Sequence, residues 1–246
     1  MSIPPDIDGA HAEAAKRLIV ALDFPTAGEA ALLAGQLQGH VGVFKIGLEL
    51  IYADGLALAR QLVEAGHRIF LDAKLLDIPN TVERAAANAA RLGVAYLTVH
   101  GTDRKTLDAA ARGRGSAATK LLAITVLTSV DEADLKQQHV GLSPAELVLH
   151  RAQLARDAGF DGVVASAQEA ASIRAELGPG LLIVTPGIRP AGAETADQSR
   201  IVTPAEAIMR GADYLVVGRP ISAAPDPRRA ARAIIAEMAA ALGRRD

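Results

Sequence analysis

At 246 residues, half of them apolar, the chain is long enough to bury a sizeable core within one domain; aromatics at only 3% point to packing by Ala, Leu, Val and Ile rather than to an aromatic-rich sandwich. It has no cysteine, which excludes disulfides, zinc–thiolate sites and thiol nucleophiles and lends no support to an oxidising compartment. Lys plus Arg total 26 against 28 Asp plus Glu, a formal charge of −2, so there is no general field for nucleic acid.

Met1–Lys16 contains acidic residues and no apolar stretch of the signal-peptide kind, and no uncharged apolar run elsewhere is long enough to span a bilayer. The expectation is a cytoplasmic protein without membrane association, with residues 1–16 as a tail or short helix closing the bottom of the fold and 17–246 as a single domain. Eight short apolar runs then recur: Arg17–Leu22, Val41–Ile46, Arg68–Asp72, Ala95–Val99, Leu121–Val126, Gly162–Ala165, Leu181–Val184 and Tyr214–Val217. Each is followed by a longer Ala-rich helical stretch, such as Val82–Leu92 or Pro144–Ala158, and Gly66, Gly93 and Gly159 are suited to left-handed helix ends. This βαβα rhythm predicts a parallel sheet. The arginines at the C-terminus, Arg228, Arg229, Arg232, Arg244 and Arg245, read as a solvated helix face.

An open doubly wound sheet has the same rhythm, but the polar residues separate the two folds. Asp23, Lys45, Asp72 with Lys74, His100, Thr128 with Ser129, Arg189, and Gly218 with Arg219 all stand at or just after the ends of the runs. In a closed (β/α)8 barrel, a TIM barrel, these positions converge on one mouth; an open sheet spreads them along a line. A single (β/α)8 barrel is therefore the predicted fold.

The sharpest local signal is Asp72-Ala73-Lys74-Leu75-Leu76-Asp77-Ile78-Pro79-Asn80-Thr81, a strand running into a charged turn. Strand alternation places Asp72 and Lys74 on one face. Lys45, ending the neighbouring run, adds a second cation, and Asp77 in the turn a second anion. One use of the array is structural, a salt-bridge pair capping the barrel. The other is chemical, since an ammonium set among carboxylates can protonate a carbanion as it forms.

A second constellation joins Thr185-Pro186-Gly187-Ile188-Arg189 to Val217-Gly218-Arg219-Pro220. Glycines after strands 7 and 8 let backbone amides approach an anion where barrels frequently bind phosphate, and Arg219 adds a charge-assisted contact. Pro190–Arg200, polar and long for a barrel turn, is either a lid or a disordered connection. Asp23 suits a sugar hydroxyl or a turn before Phe24-Pro25, Thr128 and Ser129 suit a base edge or a helix cap, and His100, which could serve as a base but has no partner visible in the sequence, reads as structural.

Together these residues resemble the orotidine 5'-monophosphate decarboxylase family in its shorter, bacterial-type form, from about Leu18 to Pro227. The resemblance is carried by Ile19–Asp23, Phe44-Lys45-Ile46-Gly47, Asp72 through Thr81, Val126–Ser129, Pro186–Arg189, Asp197-Gln198 and Val217–Ile221. It implies a carboxy-lyase of UMP biosynthesis that converts orotidine 5'-monophosphate to UMP and CO2 with no metal or cofactor. Lys74 would protonate C6, Asp72 would lie against the substrate carboxylate, and Lys45 would pair with Asp72 and reach the ribose. A homodimer is implied, with Asp77 and Thr81 completing the neighbouring site. Asp23 and Thr81 would contact the ribose, Thr128 and Ser129 the nucleotide near its base, and Gln198, Arg189, Gly218 and Arg219 the phosphate or the closing loop; Ile78 and Pro186 join the substrate-binding set. Two departures stand out: Leu76 replaces a His or aromatic, and Val99-His100-Gly101-Thr102 lacks a double-glycine stretch. The alternatives are a magnesium-dependent sugar-phosphate enzyme of the same superfamily, against which Lys45 and Asp-Ile-Pro-Asn-Thr speak, and a non-catalytic nucleotide-binding barrel.

Overall fold

The computed structural model describes residues 9–190 and 202–245. Its strands are β1 (Leu18–Ala21), β2 (Val43–Ile46), β3 (Ile69–Leu75), β4 (Tyr96–His100), β5 (Lys120–Ile124), β6 (Gly162–Val164), β7 (Leu182–Thr185) and β8 (Tyr214–Val217). They close into a barrel in chain order, and β8 pairs back on β1 in parallel. Seven of the eight runs coincide with their strands to within one or two residues. The exception is β3, expected to stop at Asp72 but extending to Leu75.

Two apolar layers result from strand alternation. Phe44, Ile46, Ile69, Leu71, Leu97 and Val99 face outward into the main core beneath the helices, while Ile19, Val43, Phe70, Tyr96, Leu122, Val184 and Val216 fill the barrel interior. At the floor, Tyr96 meets Phe70 and Tyr214 edge-on, and Arg68 donates to the Tyr96 hydroxyl at 2.5 Å while stacking over its ring. The barrel is thereby packed shut below and left open above.

The helices obey the predicted punctuation. Pro79–Leu92 ends on Gly93 with φ 82°, and Gly66 and Gly159 are also left-handed at 85° and 75°. Ser143 caps Pro144–Asp157 in a reciprocal arrangement with Glu146. A short helix does precede the barrel: Gly9–Arg17 buries Ala14 and Ala15 and runs directly into β1. Its last turn passes so close to the start of β2 that a Cβ on Gly42 would lie 2.3 Å from the Lys16 carbonyl oxygen, so only glycine fits there. Among the described residues no helix is long and apolar enough to cross a membrane.

The single-glycine stretch after β4 also has a packing explanation. Gly101 donates its N–H to the Ile124 carbonyl at 2.9 Å, and a Cβ there would approach that oxygen to 3.0 Å. Asp103 then caps the helix Arg104–Arg114 by accepting from the Thr106 N–H. One glycine and one cap make the turn.

Candidate active site

Continuing the interior alternation upward from Val43 and Phe70 brings Lys45 and Asp72 to the top layer of the barrel, where their side chains are only 10% and 11% exposed. Lys45 Nζ donates to Asp23 Oδ1 at 2.9 Å and stands 3.7 Å from Asp72 Oδ2. Lys74 Nζ reaches the same Asp72 oxygen at 2.5 Å. Two ammonium groups thus share one buried carboxylate, which is the pairing that a low-dielectric interior demands.

Simple alternation does not account for Lys74, and the expectation based on it is corrected here. Between the register pairs Leu71↔Leu97 and Leu75↔Val99, three residues of β3 stand opposite Thr98 alone. The strand bulges, and Lys74 takes φ 48°, a left-handed conformation that costs a non-glycine residue about 1–2 kcal/mol. Lys74 therefore reaches Asp72 through the bulge and not through a regular pleat. Thr98, fully buried and not foreseen as a site residue, donates to Asp72 Oδ1 and accepts from the Lys74 N–H, both at 2.9 Å.

Two adjoining cavities open at this mouth. One, of about 470 Å³, is lined by Asp23, Glu49, Gly187, Arg189, Gly218, Arg219 and Ser222 among others; the second, of about 240 Å³, by Phe70, Lys74, Ile124, Val126, Leu127, Thr128, Val164 and Ala165 among others. Lys45, Asp72, Pro186 and Val216 line both. The site is one trough, with the charge array at its waist, a polar end where Arg189 and Arg219 stand with Asp23 and Glu49, and a mainly apolar end.

The two arginines of the polar end lie at the tops of β7 and β8. Gly187, left-handed at φ 78°, makes the turn that a side chain would disfavour, and Arg189 follows it into a nearly buried position, donating to the Ile188 carbonyl at 3.0 Å. Burial, and then the nearby Arg219 guanidinium, lower the Arg189 pKa, which marks this pocket as one that gains from an anion. A Cβ on Gly218 would meet only the Ala21 methyl, at 3.7 Å, so protein packing does not require glycine there.

Gly47 is a further site residue whose role sequence spacing did not reveal. A Cβ on it would lie 2.7 Å from Lys45 Nζ and 3.2 Å from Asp23 Oδ1, so its bare backbone makes room for that ion pair. Glu49 and Ser222 line the larger cavity without any sequence signal. His100 ends β4 beside the array but lines neither cavity; burial first, then the positive charges of Lys74 and Arg151, lower its pKa and favour neutral imidazole. Nothing in its surroundings revises the structural role expected for it.

Other expected residues are elsewhere. Asp77, Ile78 and Thr81 are exposed and line neither cavity of their own chain; Asp77 instead accepts from the Ile78 N–H at 2.6 Å. Thr128 lines the apolar end, whereas its neighbour Ser129 is exposed and lines neither cavity. Gln198 and most of the Pro190–Arg200 stretch fall outside the described residues.

Known proteins resemble this chain over most of its length. The chain is 55% identical to an orotidine 5'-phosphate decarboxylase of Methylobacterium nodulans over 228 residues, 92% of this chain and 96% of the relative. It is 53% identical to one from Afipia carboxidovorans over 226 residues, again 92% of this chain and 96% of the relative. The crystal structure of orotidine 5'-phosphate decarboxylase from Lactobacillus acidophilus superimposes with a TM-score of 0.79 at 37% identity, covering 90% of this chain and 98% of that one. Residues 16–234 match the model of the orotidine 5'-phosphate decarboxylase / HUMPS family, and the chain belongs to that family.

Proposed function

We propose that this protein converts orotidine 5'-monophosphate to UMP and CO2 in pyrimidine biosynthesis. The observation that carries the proposal is the trough: Lys45 and Asp72 belong to both cavities, so a ligand with a phosphate at the arginine end and a base at the apolar end must lie across the array. Arg189, Arg219 and the Gly218 backbone hold the phosphate, Asp23 and Lys45 the ribose, and Thr128 and Pro186 the base.

In this arrangement the C6 carboxylate lies against Asp72 and its carbon near Lys74 Nζ. The C6–carboxylate bond breaks, the electron pair stays on C6, and a proton from the Lys74 ammonium quenches it, leaving a neutral amine that recovers a proton from solvent. Positive charge positioned at the developing carbanion supplies most of the stabilisation. The phosphate, remote from the broken bond, contributes binding energy that assembles the site. The chemistry asks for no metal or organic electron sink.

The test is the ultraviolet absorbance change of orotidine 5'-monophosphate with purified protein in excess EDTA. Conversion at an undiminished rate is expected. Activity appearing only on a sugar phosphate with magnesium would transfer the protein to the other branch of its family, and silence on both substrates would make it a non-catalytic binder. A companion substitution, Arg219→Ala, is expected to lower kcat/KM roughly 100-fold, mainly through KM, the loss of a bidentate charge-assisted contact worth about 3 kcal/mol. Unchanged KM in that variant would remove Arg219 from the phosphate site.

The working unit is a homodimer in which Asp77 and Thr81 complete the neighbour's site. Their exposure, and their absence from the lining of their own trough, support this. So does the apolar surface around them: Leu48, Tyr52, Leu56, Leu76 and Ile78, on the segments that follow the adjacent strands β2 and β3, are all exposed, Tyr52 by 88% and Ile78 by 66%. Leu76, unusual for its relatives, becomes part of that contact. We place the dimer in the cytoplasm, where a cysteine-free nucleotide enzyme needs no disulfides.

A further inference from the structure

We infer that Thr98 is a positioning residue for the reaction, acting by closing the β3 bulge so that Asp72 and Lys74 are presented together. The inference rests on Lys74 as proton donor, but on nothing else in the mechanism. Thr98 sits in the middle of β4, directly above Tyr96 in the barrel interior, where an apolar residue would satisfy packing. It is fully buried, and its hydroxyl is engaged twice, donating to Asp72 Oδ1 and accepting from the Lys74 backbone N–H, each at 2.9 Å.

Those two bonds perform separate tasks. The first occupies one carboxylate oxygen of Asp72, so that Lys74 and Lys45 both address the other, at 2.5 and 3.7 Å. The second replaces the ladder bond that the bulge denies Lys74. Leu71 and Leu75 resume pairing with Leu97 and Val99 on either side, leaving Thr98 as the single residue opposite Asp72, Ala73 and Lys74. Since the left-handed Lys74 backbone has no glycine to relieve it, an anchor on its N–H selects this bulged conformation, the one in which Nζ meets Asp72, over a straight strand. Thr98 itself lines neither cavity and acts through the two residues it holds.

The experiment compares Thr98→Ser with Thr98→Ala, which differ by one oxygen atom, alongside the near-isosteric Thr98→Val. Expected is kcat within about threefold of the native enzyme for Ser and a drop of roughly 10- to 100-fold for Ala and Val, as for loss of a hydrogen bond to a charged group, with KM and UMP affinity within about threefold throughout. Exchange of the UMP C6 hydrogen with deuterated solvent, which retraces the Lys74 proton transfer, should fall in parallel with kcat. Native kcat in the Ala variant, equal impairment of Ser and Ala, or a loss confined to KM would each overturn the inference. If Val fails to fold, the Ser–Ala pair decides. Failure of the native protein to decarboxylate would instead sink the proposed reaction, so the two failures are distinguishable.

Discussion

Replacing Lys74 with alanine is expected to lower kcat by about 10⁴-fold or more, while UMP binding stays within tenfold of native. The size follows from removing two contributions at once. General acid catalysis by a positioned side chain is worth roughly 10²–10⁴-fold, and a fixed positive charge at a developing anion adds a factor of similar order. A 10⁴-fold loss corresponds to about 5 kcal/mol of transition-state stabilisation. Binding survives because Arg189, Arg219 and Gly218 lie at the other end of the trough, and the fold survives because Asp72 keeps the Thr98 hydroxyl and the Lys45 ammonium. Single-turnover decarboxylation and UMP titration on the same preparation check both halves, with circular dichroism to verify folding. Turnover within tenfold of native would exclude Lys74 as the proton donor.

The barrel was legible because it depends on properties local to each segment. Apolar runs of strand length, Ala-rich helices and left-handed glycines at 66, 93 and 159 are each set by nearby residues, and the interior position of Lys45 and Asp72 follows from counting by twos along a strand. That Gly187, Arg189, Gly218 and Arg219 meet at one cavity was legible for a similar reason, since they stand just after strands 7 and 8. What spacing did not disclose depends on contacts between strands. The Lys74 bulge is written nowhere in Asp-Ala-Lys-Leu-Leu, which lacks the glycine or asparagine that normally announces a left-handed residue; it needs Thr98, supplied by the next strand. Gly47 likewise gains its role only when Asp23 comes up from β1 to meet Lys45. Residues that hold other residues, rather than substrate, are the ones local patterns miss.

Asp77 presents the opposite case, a residue whose sequence context marks it for the array but whose side chain is exposed and turned to its own Ile78 N–H. A shared site makes a quantitative demand. Lys74→Ala and Asp77→Ala, each essentially inactive alone, are expected to regain activity when mixed under conditions that exchange subunits. In a hybrid dimer one site combines both defects, while the other takes Lys74 from one subunit and Asp77 from its partner and is intact. Random exchange of equal amounts makes half the dimers hybrid, so activity should approach about a quarter of that of the native enzyme at equal total protein. A site built within one chain gives no recovery at any mixing ratio, because each subunit would keep its own defect. The measurement also tests the apolar patch around Leu76: Leu76→Asp in both parents should slow or prevent recovery by burying an unpaired charge at the contact, whereas undiminished recovery would place the interface elsewhere on the barrel.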